Sequence, residues 1–241
     1  MLPFGDDAER YTAASSLFPM PEAVRTQPQD DALVKTRRRQ IFLAACRVLS
    51  HKSFHEASVK ELALEAGLAA GSIYVYLQGK EDILILMAES MVGELLESLP
   101  AIHQRAGGDP RTELIEMVRT ILDVIDRYRE AFTVMNHEVR YLARRPEHRR
   151  ALGSIVDEYH SAVADVLQRG RDAGVIHFDD LRSVVHAIHM LCAGWATGAN
   201  YLKDTAKETY WREIAALLEG RFFAPMEQAS SGRTNPPAPE N

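Results

Sequence analysis

The residues best suited to chemistry lie between Ser58 and Lys80, where serine, glycine, tyrosine and lysine residues recur at short spacings. Ser58 and Glu61 are spaced as in a capping box, where the serine hydroxyl accepts from a free backbone amide and the glutamate reaches back. Gly67 follows, and a residue without a Cβ can take the left-handed conformation of a tight turn. A second short helix is predicted over Leu68–Leu77. Two short helices joined by a glycine turn form a helix-turn-helix, whose second helix enters the major groove of DNA.

The predicted second helix has side chains suited to a close approach to a duplex. Ala70, Gly71 and Ser72 are small, so the backbone can come near the bases. Ser72, Tyr74 and Tyr76 have hydroxyls that can donate to phosphates or to base edges. The pattern therefore predicts both backbone and base contacts.

Charge is distributed unevenly, although the net charge of −6 argues against a nucleic-acid partner. The segment Lys35–Lys80 contains eight basic and three acidic residues, a net charge of +5, which leaves −11 for the rest. Arg37 and Arg38 lie near the start of the predicted first helix, Val34–His51, where the helix dipole disfavours cations unless an anion is near. DNA phosphate is the expected anion, and a solvated basic surface is the alternative. Lys80 is placed to contact a phosphate and to tie the motif to the rest of the chain.

This segment resembles the DNA-binding domain of TetR/AcrR regulators over residues 34–85. The resemblance rests on stretches that occur together, namely Ser58–Ala63, Ala66–Leu68, Gly71–Leu77 and Gly79–Ile83. It implies a three-helix head, a linking fourth helix, and a helical C-terminal domain that dimerises and encloses a ligand pocket. Because Ala70 and Val75 stand where other members often have longer polar side chains, sparse direct readout of bases is expected. The expected DNA contacts are Arg37, Arg38, Ser58, Lys60, Ala70, Gly71, Ser72, Tyr74, Tyr76 and Lys80.

Helical spacing of apolar residues continues along the chain, so the expected fold class is all-α, with about nine helices. Disordered tails are predicted over 1–32 and 224–241, a helix-turn-helix domain over 33–80, and a ligand-binding and dimerisation domain over 81–223. The helix predicted from Asp180 to Leu202 is apolar almost all round and must be covered on two sides. With the last helix it forms the expected homodimer face, and two-fold symmetry predicts a palindromic operator.

A mostly apolar ligand pocket is expected between the helices of the C-terminal domain. The polar and aromatic residues that are candidates to line this pocket are Asn136, Tyr159, His160 and Trp195. A residue at such a position is more often part of the core or exposed to solvent. Similarity of 137–143 and 170–176 to TetR-type repressors of fatty-acid and steroid catabolism makes an acyl-CoA or another lipophilic compound the first candidate. An efflux-type drug or aromatic compound is the next. A run that could bind CoA phosphates, or form a solvated surface, comprises Arg140, Arg144, Arg145, Arg149 and Arg150.

The sequence lends little support to a metal-binding, disulfide-bonded or membrane-spanning protein. Cys46 and Cys192 are far apart in predicted helix interiors, which favours a reducing cytoplasm. His186 and His189 share a predicted helix, but no carboxylate or cysteine completes a metal site. The nearly apolar stretch Val184–Ala199 is shorter than the ~20 residues that span a bilayer, and the N-terminal residues lack the order of a signal peptide.

The expected function is a cytoplasmic DNA-binding repressor without a cofactor, released from its operator by a small molecule. A ligand-responsive activator is the close alternative. An all-helical enzyme would use Asn136, Glu158 or His160, but the sequence has no phosphate-cradling glycine loop and no nucleophile elbow. A protein-binding scaffold is the remaining alternative, and it predicts no salt-dependent affinity for DNA.

Overall fold

The computed structural model describes residues 31–198 and 205–223, and every regular element within these ranges is a helix. The all-α prediction is confirmed. The α-helices are α1 (Asp31–Leu49), α2 (Val59–Glu65), α3 (Asp82–Ala106), α4 (Pro110–Arg127), α5 (Arg129–Leu142), α6 (Pro146–Asp172), α7 (Leu181–Thr197) and α8 (Lys207–Leu218). A 3-10 helix, η1, covers Ser72–Val75, and a π-helical turn covers Glu219–Phe223. None of the helices in these ranges is both long and apolar enough to cross a bilayer.

Some predictions fall beyond the described ranges. The tails predicted over 1–32 and 224–241 lie outside them, except that α1 already includes Asp31 and Ala32. The helix predicted to reach Leu202 corresponds to α7, which is described as far as Thr197, and residues 199–204 also lie outside.

The chain forms two compact units. Among the described residues, unit 1 comprises those up to Glu94 together with Tyr128–Asp157, and unit 2 comprises Leu95–Arg127 together with those from Glu158 onward. Helices α3 and α6 therefore contribute residues to both units. The domain boundary predicted at residue 80 was drawn between a DNA-binding and a ligand-binding region, and it does not coincide with the division into compact units. As a division of function it stays a prediction.

The core of unit 1 lies on one face of α1, as the apolar spacing predicts. Ile41, Phe42 and Ala45 are fully buried, and Leu49 is nearly so. Helix α1 packs against α2 and α5, and the Phe42 ring meets the Tyr128 ring edge-on at 4.9 Å between centroids. Burial of an aliphatic or aromatic side chain is worth roughly 1.5–3 kcal/mol. This core therefore holds α1 in place, and α2 packs against α1.

Unit 2 is centred on α4, which packs against α7 and α8. Leu114 and Leu122 of α4 and Cys192 of α7 are fully buried. The other side of α7 exposes Ala187 and Met190. Within the described part of one chain, the all-round apolar sequence of α7 is thus covered on one side.

Candidate nucleic-acid interface

The first short helix of the motif, α2, starts as its sequence predicts. Ser58 has an extended backbone, with φ −111° and ψ 150°, and its Oγ accepts a hydrogen bond from Glu61 N at 3.1 Å. The Glu61 carboxylate accepts mainly from Lys52 Nζ at 2.6 Å, because a charged donor is a stronger partner than a neutral amide. Hydrogen bonding from the Ser58 backbone amide makes a smaller contribution, as the second half of the capping box predicts. The bond to Lys52 lowers the pKa of Glu61 from its usual value.

The turn after α2 requires its glycine. Gly67 has a φ of +68°, a conformation that costs a residue with a Cβ about 1–2 kcal/mol. Gly67 N donates to Leu64 O at 3.0 Å and Leu68 N donates to Ala63 O at 2.8 Å, which are the two bonds of a Schellman motif. The predicted glycine turn is confirmed.

The second helix of the motif is shorter than predicted. In place of a helix over Leu68–Leu77, the structure has η1, in which Tyr76 N donates to Ile73 O at 2.9 Å. Five of the ten residues of this stretch are glycine, β-branched or aromatic, and their low helix propensity favours a single turn with bonds from i to i+3. Ile73 and Leu77 are buried as predicted, whereas Leu68 is only half-buried.

The outer surface of α2 and η1 contains most of the predicted DNA contacts. Tyr76 is half-buried, and Tyr74 is 54% exposed. The side chain of Lys60, in the first turn of α2, is exposed and forms no hydrogen bond or ion pair with another residue of the described ranges. The exposed members of the predicted set are Ser58, Lys60, Ala70, Gly71, Ser72 and Tyr74. The structure therefore places these side chains in solvent on a single motif.

Gly71 is not required by the fold. Its φ of −76° and ψ of −28° are open to any residue, and an added Cβ would have no atom within 4 Å. Gly71 differs in this respect from Gly67. The space in front of Gly71 is open to a partner outside the chain.

Lys80 is anchored to the loop between α1 and α2. Its Nζ donates to His55 O at 3.0 Å and lies 4.8 Å from the centre of the Phe54 ring. Both partners lie within the predicted domain 33–80, so a tie from Lys80 to the rest of the chain stays a prediction. An ammonium has three N–H donors, so two remain available to a phosphate.

The arginines of α1 have partners within unit 1. Arg37 donates to Gln40 Oε1 at 2.9 Å. Arg38 forms an ion pair with Glu89 of α3, and only 27% of its side chain is exposed. Because α1 begins at Asp31, Arg37 and Arg38 lie beyond its first turn, where the helix dipole acts little on them. Glu89 supplies an anion to Arg38 from within the chain. Roles of Arg37 and Arg38 in DNA binding stay predictions.

A buried carboxylate that the sequence reasoning missed holds the end of the motif. The Oδ2 atom of Asp82 accepts from Gln78 N at 2.6 Å and from Gly79 N at 3.1 Å, and its Oδ1 lies 3.2 Å from His148 Nε2. His148 is 5% exposed, and its Nδ1 has no hydrogen-bond partner in the described ranges. Asp82 therefore fixes the loop that follows η1. The one signal in the sequence was an acid in the first turn of a helix, where the dipole favours it.

The four predicted ligand-binding residues are divided between the units. Asn136 belongs to unit 1, whereas Tyr159, His160 and Trp195 belong to unit 2. The rings of Tyr159 and His160 lie 5.2 Å apart. Trp195 is 3% exposed, and its Nε1 donates to Asp126 Oδ1 at 2.7 Å. Trp195 is therefore a core residue whose indole N–H already has a hydrogen-bond acceptor.

Two histidines outside the predicted ligand set complete a tyrosine–histidine cluster, which comprises Tyr159, His160, His186 and His189. The ring of His189 is 5.4 Å from those of Tyr159 and His160, and the parallel ring of His186 is 6.5 Å away. Burial raises the pKa of Tyr159, whose hydroxyl has no hydrogen-bond partner in the described ranges. Burial, with His160 and His186 nearby, lowers the pKa of His189 to about 4. Nowhere in those ranges do three or more His, Cys, Asp or Glu side chains form a group suited to a metal ion.

The arginine run considered for CoA phosphates is exposed and belongs to unit 1. The guanidinium of Arg144 lies 5.6 Å from the centre of the Tyr141 ring. This exposure favours the solvated-surface alternative, and a contact with CoA stays a prediction.

The capped α2, the Gly67 turn and η1, together with a second helical unit, define a helix-turn-helix protein of two helical domains. The family described as "Bacterial regulatory proteins, tetR family" matches residues 41–87, and "Tetracyclin repressor-like, C-terminal domain" matches residues 107–197. The chain belongs to the TetR family.

Relatives of known name lie among bacterial regulators. The fatty acid metabolism regulator protein of Bacillus subtilis is 34% identical over 77 residues, 32% of this chain and 40% of that protein. The regulator HbdR of Aromatoleum sp. is 31% identical over 111 residues, 46% of this chain and 48% of that protein. The chain thus spans less than half the length of these two relatives. A solved structure of Bacillus subtilis FadR in complex with stearoyl-CoA shares the fold, with a TM-score of 0.61 at 21% identity over 75% of this chain and 96% of that one.

Proposed function

We propose that the chain is a DNA-binding transcription regulator whose unit 1 enters the major groove through α2 and η1. The observation that carries this proposal is the division of the motif: Ile73 and Leu77 are buried, whereas Lys60, Ser72 and Tyr74 face solvent. Lysine and hydroxyl side chains are typical contacts to phosphates and base edges. Membership of a family named for regulatory proteins supports the same role. Relatives with regulator names favour a protein that is not an enzyme.

We propose that two copies bind together. Helix α7 packs within unit 2 on one side and exposes Ala187 and Met190 on the other, with Met190 47% exposed. A second copy that covers this side would bury the apolar surface that one chain leaves in water. A two-fold dimer presents two motifs, so the operator is a pseudo-palindrome with half-sites in successive major grooves.

A small lipophilic effector, with acyl-CoA thioesters as the first candidates, is proposed to release the protein from DNA. The support is the shared fold with FadR, which was solved with stearoyl-CoA, and the Tyr159 hydroxyl, which is buried without a partner in the described ranges and could anchor a polar group. Release requires that the effector bind more tightly to the conformation with low DNA affinity. The opposite preference would make the protein a ligand-responsive activator.

Fluorescence anisotropy with the full chain and the DNA upstream of its own gene tests the proposal. We expect tight binding that weakens steeply between low and moderate salt, because contacts to phosphate are salt-sensitive. Addition of acyl-CoAs of several chain lengths is expected to lower the anisotropy. Absence of binding at low salt, or an affinity that does not change with salt, would contradict a DNA-binding role and favour a protein-binding scaffold.

Tyr74→Ala and Tyr141→Ala form a matched pair for the contact surface. Both tyrosines are in unit 1 and are similarly exposed, at 54% and 48%, but only Tyr74 lies on η1. We expect Tyr74→Ala to weaken operator binding by roughly tenfold, about 1.4 kcal/mol, and Tyr141→Ala to keep the original affinity. Circular dichroism and sedimentation should show an intact fold and dimer in both. Equal affinities for the two variants would contradict the assigned contact.

A further inference from the structure

An open apolar groove flanks the proposed contact surface. It has a volume of about 460 Å³, and its lining residues are Ser58, Lys60, Glu61, Leu64, Leu68, Ala69 and Ala70. Leu64 is 80% exposed, more than any other large hydrophobic side chain in the described ranges. Because a water molecule takes up about 30 Å³ in the liquid, the groove has room for several methyl-sized groups.

The fold offers no reason for this apolar surface. Single exposed hydrophobic residues are common, but here Leu64, Leu68, Ala69 and Ala70 adjoin each other across the Gly67 turn. Ile73 and Leu77 already fill the core beneath the motif. The apolar lining therefore faces outward and is available to an external partner.

The charges around the groove favour a polyanion as that partner. Lys60 lines the groove and has no partner in the described ranges, while the Glu61 carboxylate is bound by Lys52 at 2.6 Å. The segment from Lys35 to Lys80 has a net charge of +5. The groove is also continuous with Ala70, which adjoins the exposed Gly71 and Ser72 of the proposed DNA contact. An apolar surface within a cationic segment suits the major groove of DNA, where apolar groups on the base edges lie next to charged phosphates.

We propose that this groove selects operators by contact with thymine methyl groups in the major groove. The C5 methyl of thymine is the apolar group that a base pair presents there, and alanine-type side chains are suited to contact it. Leu64, Ala69 and Ala70 would form the methyl contacts, and Lys60 would hold the adjacent phosphate. This inference rests on the proposed DNA-binding function and adds the base that is selected.

Selection from a random duplex library, followed by removal of single methyl groups, tests the inference. The full chain is used to enrich binding sites, and we expect thymine at two or more positions of each half-site. Each such thymine is then replaced by deoxyuridine, which keeps the base pair and removes the methyl. Affinity is expected to fall about fourfold per contacted methyl, the value of one buried methylene.

Variants locate the contact on the protein. Ala70→Ser and Leu64→Gln replace apolar surface in the groove, and in both we expect the affinity ratio of thymine to deoxyuridine operators to move toward one. Leu33→Gln is the matched control, since Leu33 is 48% exposed and does not line the groove. This control should keep the original ratio, whatever its absolute affinity.

The outcomes separate the inference from the function on which it rests. A selected operator that binds in a salt-sensitive manner but loses nothing on replacement by deoxyuridine would overturn methyl readout and leave the regulator in place. Enrichment of sites without thymine would do the same. If no site is enriched and no salt-sensitive binding is found, both the DNA-binding function and the methyl readout are wrong.

Discussion

The helix-turn-helix motif of unit 1 and the tyrosine–histidine cluster of unit 2 differ in how their polar groups are bonded. In the motif, Ser58 and Asp82 accept from backbone amides three or four residues away. In the cluster, Tyr159 of α6 and His189 of α7 meet only because their helices pack, and the Tyr159 hydroxyl keeps an unused hydrogen-bonding capacity within the described ranges. The hydrogen bonds of Ser58 and Asp82 are complete within the chain and hold the motif in one conformation. The cluster retains one polar group, the Tyr159 hydroxyl, that can form a hydrogen bond with a ligand.

Removal of Asp82 should have the largest effect. Asp82→Ala leaves Gln78 N and Gly79 N without their acceptor and leaves His148 buried without its carboxylate. We expect the free energy of unfolding to fall by about 3 kcal/mol, because buried donors lose their acceptor, and operator affinity to fall as well. Urea unfolding measures the first quantity and anisotropy the second.

Asp109→Ala is the matched control for Asp82→Ala. Asp109 is also an aspartate that accepts from a backbone amide, Thr112 N at 3.1 Å, but it is exposed and lies in unit 2. Loss of such an exposed cap costs about 1 kcal/mol, and operator affinity should not change. Equal losses of stability in the two variants would mean that the buried contacts of Asp82 add nothing.

The two glycines of the motif should separate stability from affinity. Gly67→Ala places a Cβ at a φ of +68°, so the free energy of unfolding should fall by about 1–2 kcal/mol. Gly71→Ala meets no neighbour and is expected to keep or slightly raise stability, while operator affinity drops because the backbone can no longer approach the duplex as closely. Gly71→Ala with full operator affinity would show that no close approach occurs at this position.

The buried histidine of the cluster should make stability depend on pH. The pKa of His189 is about 4 in the folded chain and 6.5 as its ordinary value, so between these values the unfolded chain binds a proton that the folded chain excludes. The free energy of unfolding should therefore fall as the pH is lowered from about 6.5 to about 4. Urea unfolding across this range should show a shallower fall in His189→Gln than in the unmodified chain. Parallel profiles would contradict the burial of His189.

Tyr159→Phe should have the smallest effect on stability. The lost hydroxyl has no partner in the described ranges, so the free energy of unfolding is expected to stay within about 1 kcal/mol or to rise. Tyr210→Phe is the matched control in unit 2, since its hydroxyl donates to Leu191 O at 2.6 Å and its loss should cost about 0.5–1.5 kcal/mol. Release from DNA by an effector should weaken in Tyr159→Phe alone. A normal effector response in that variant would remove Tyr159 from the proposed ligand site.

Much of unit 1 could be predicted from the sequence because its features depend on residues that are close in the chain. The buried face of α1, the cap at Ser58 and the turn at Gly67 follow from spacing and from what one residue type can do. The length of η1 was missed, since Ile73 and Leu77 have the spacing of a helix whether or not the flanking residues complete one.

The features that the sequence did not reveal depend on packing between distant elements. Asp82 and His148 are joined by the approach of α3 and α6, and nothing in the spacing of either helix marks that contact. Tyr159 and His160 were predicted as ligand-site candidates, but His189 joined them through the packing of α6 and α7. Trp195 was a candidate by residue type, and its bond to Asp126 places it in the core.

The cations between Lys35 and Lys80 form ion pairs within the chain, and these pairs affect how many counterions DNA releases when the protein binds. At least four of the eight cations between Lys35 and Lys80 are already paired, as Arg38–Glu89, Arg39–Glu94, Arg47–Glu65 and Lys52–Glu61. On a double-logarithmic plot, the binding constant falls with salt with a slope of about −0.9 for each phosphate that a protein neutralises. Side chains that share their charge with a carboxylate displace fewer condensed counterions. The slope per protomer should therefore be shallower than the value of about −7.2 expected if all eight cations each neutralised a phosphate.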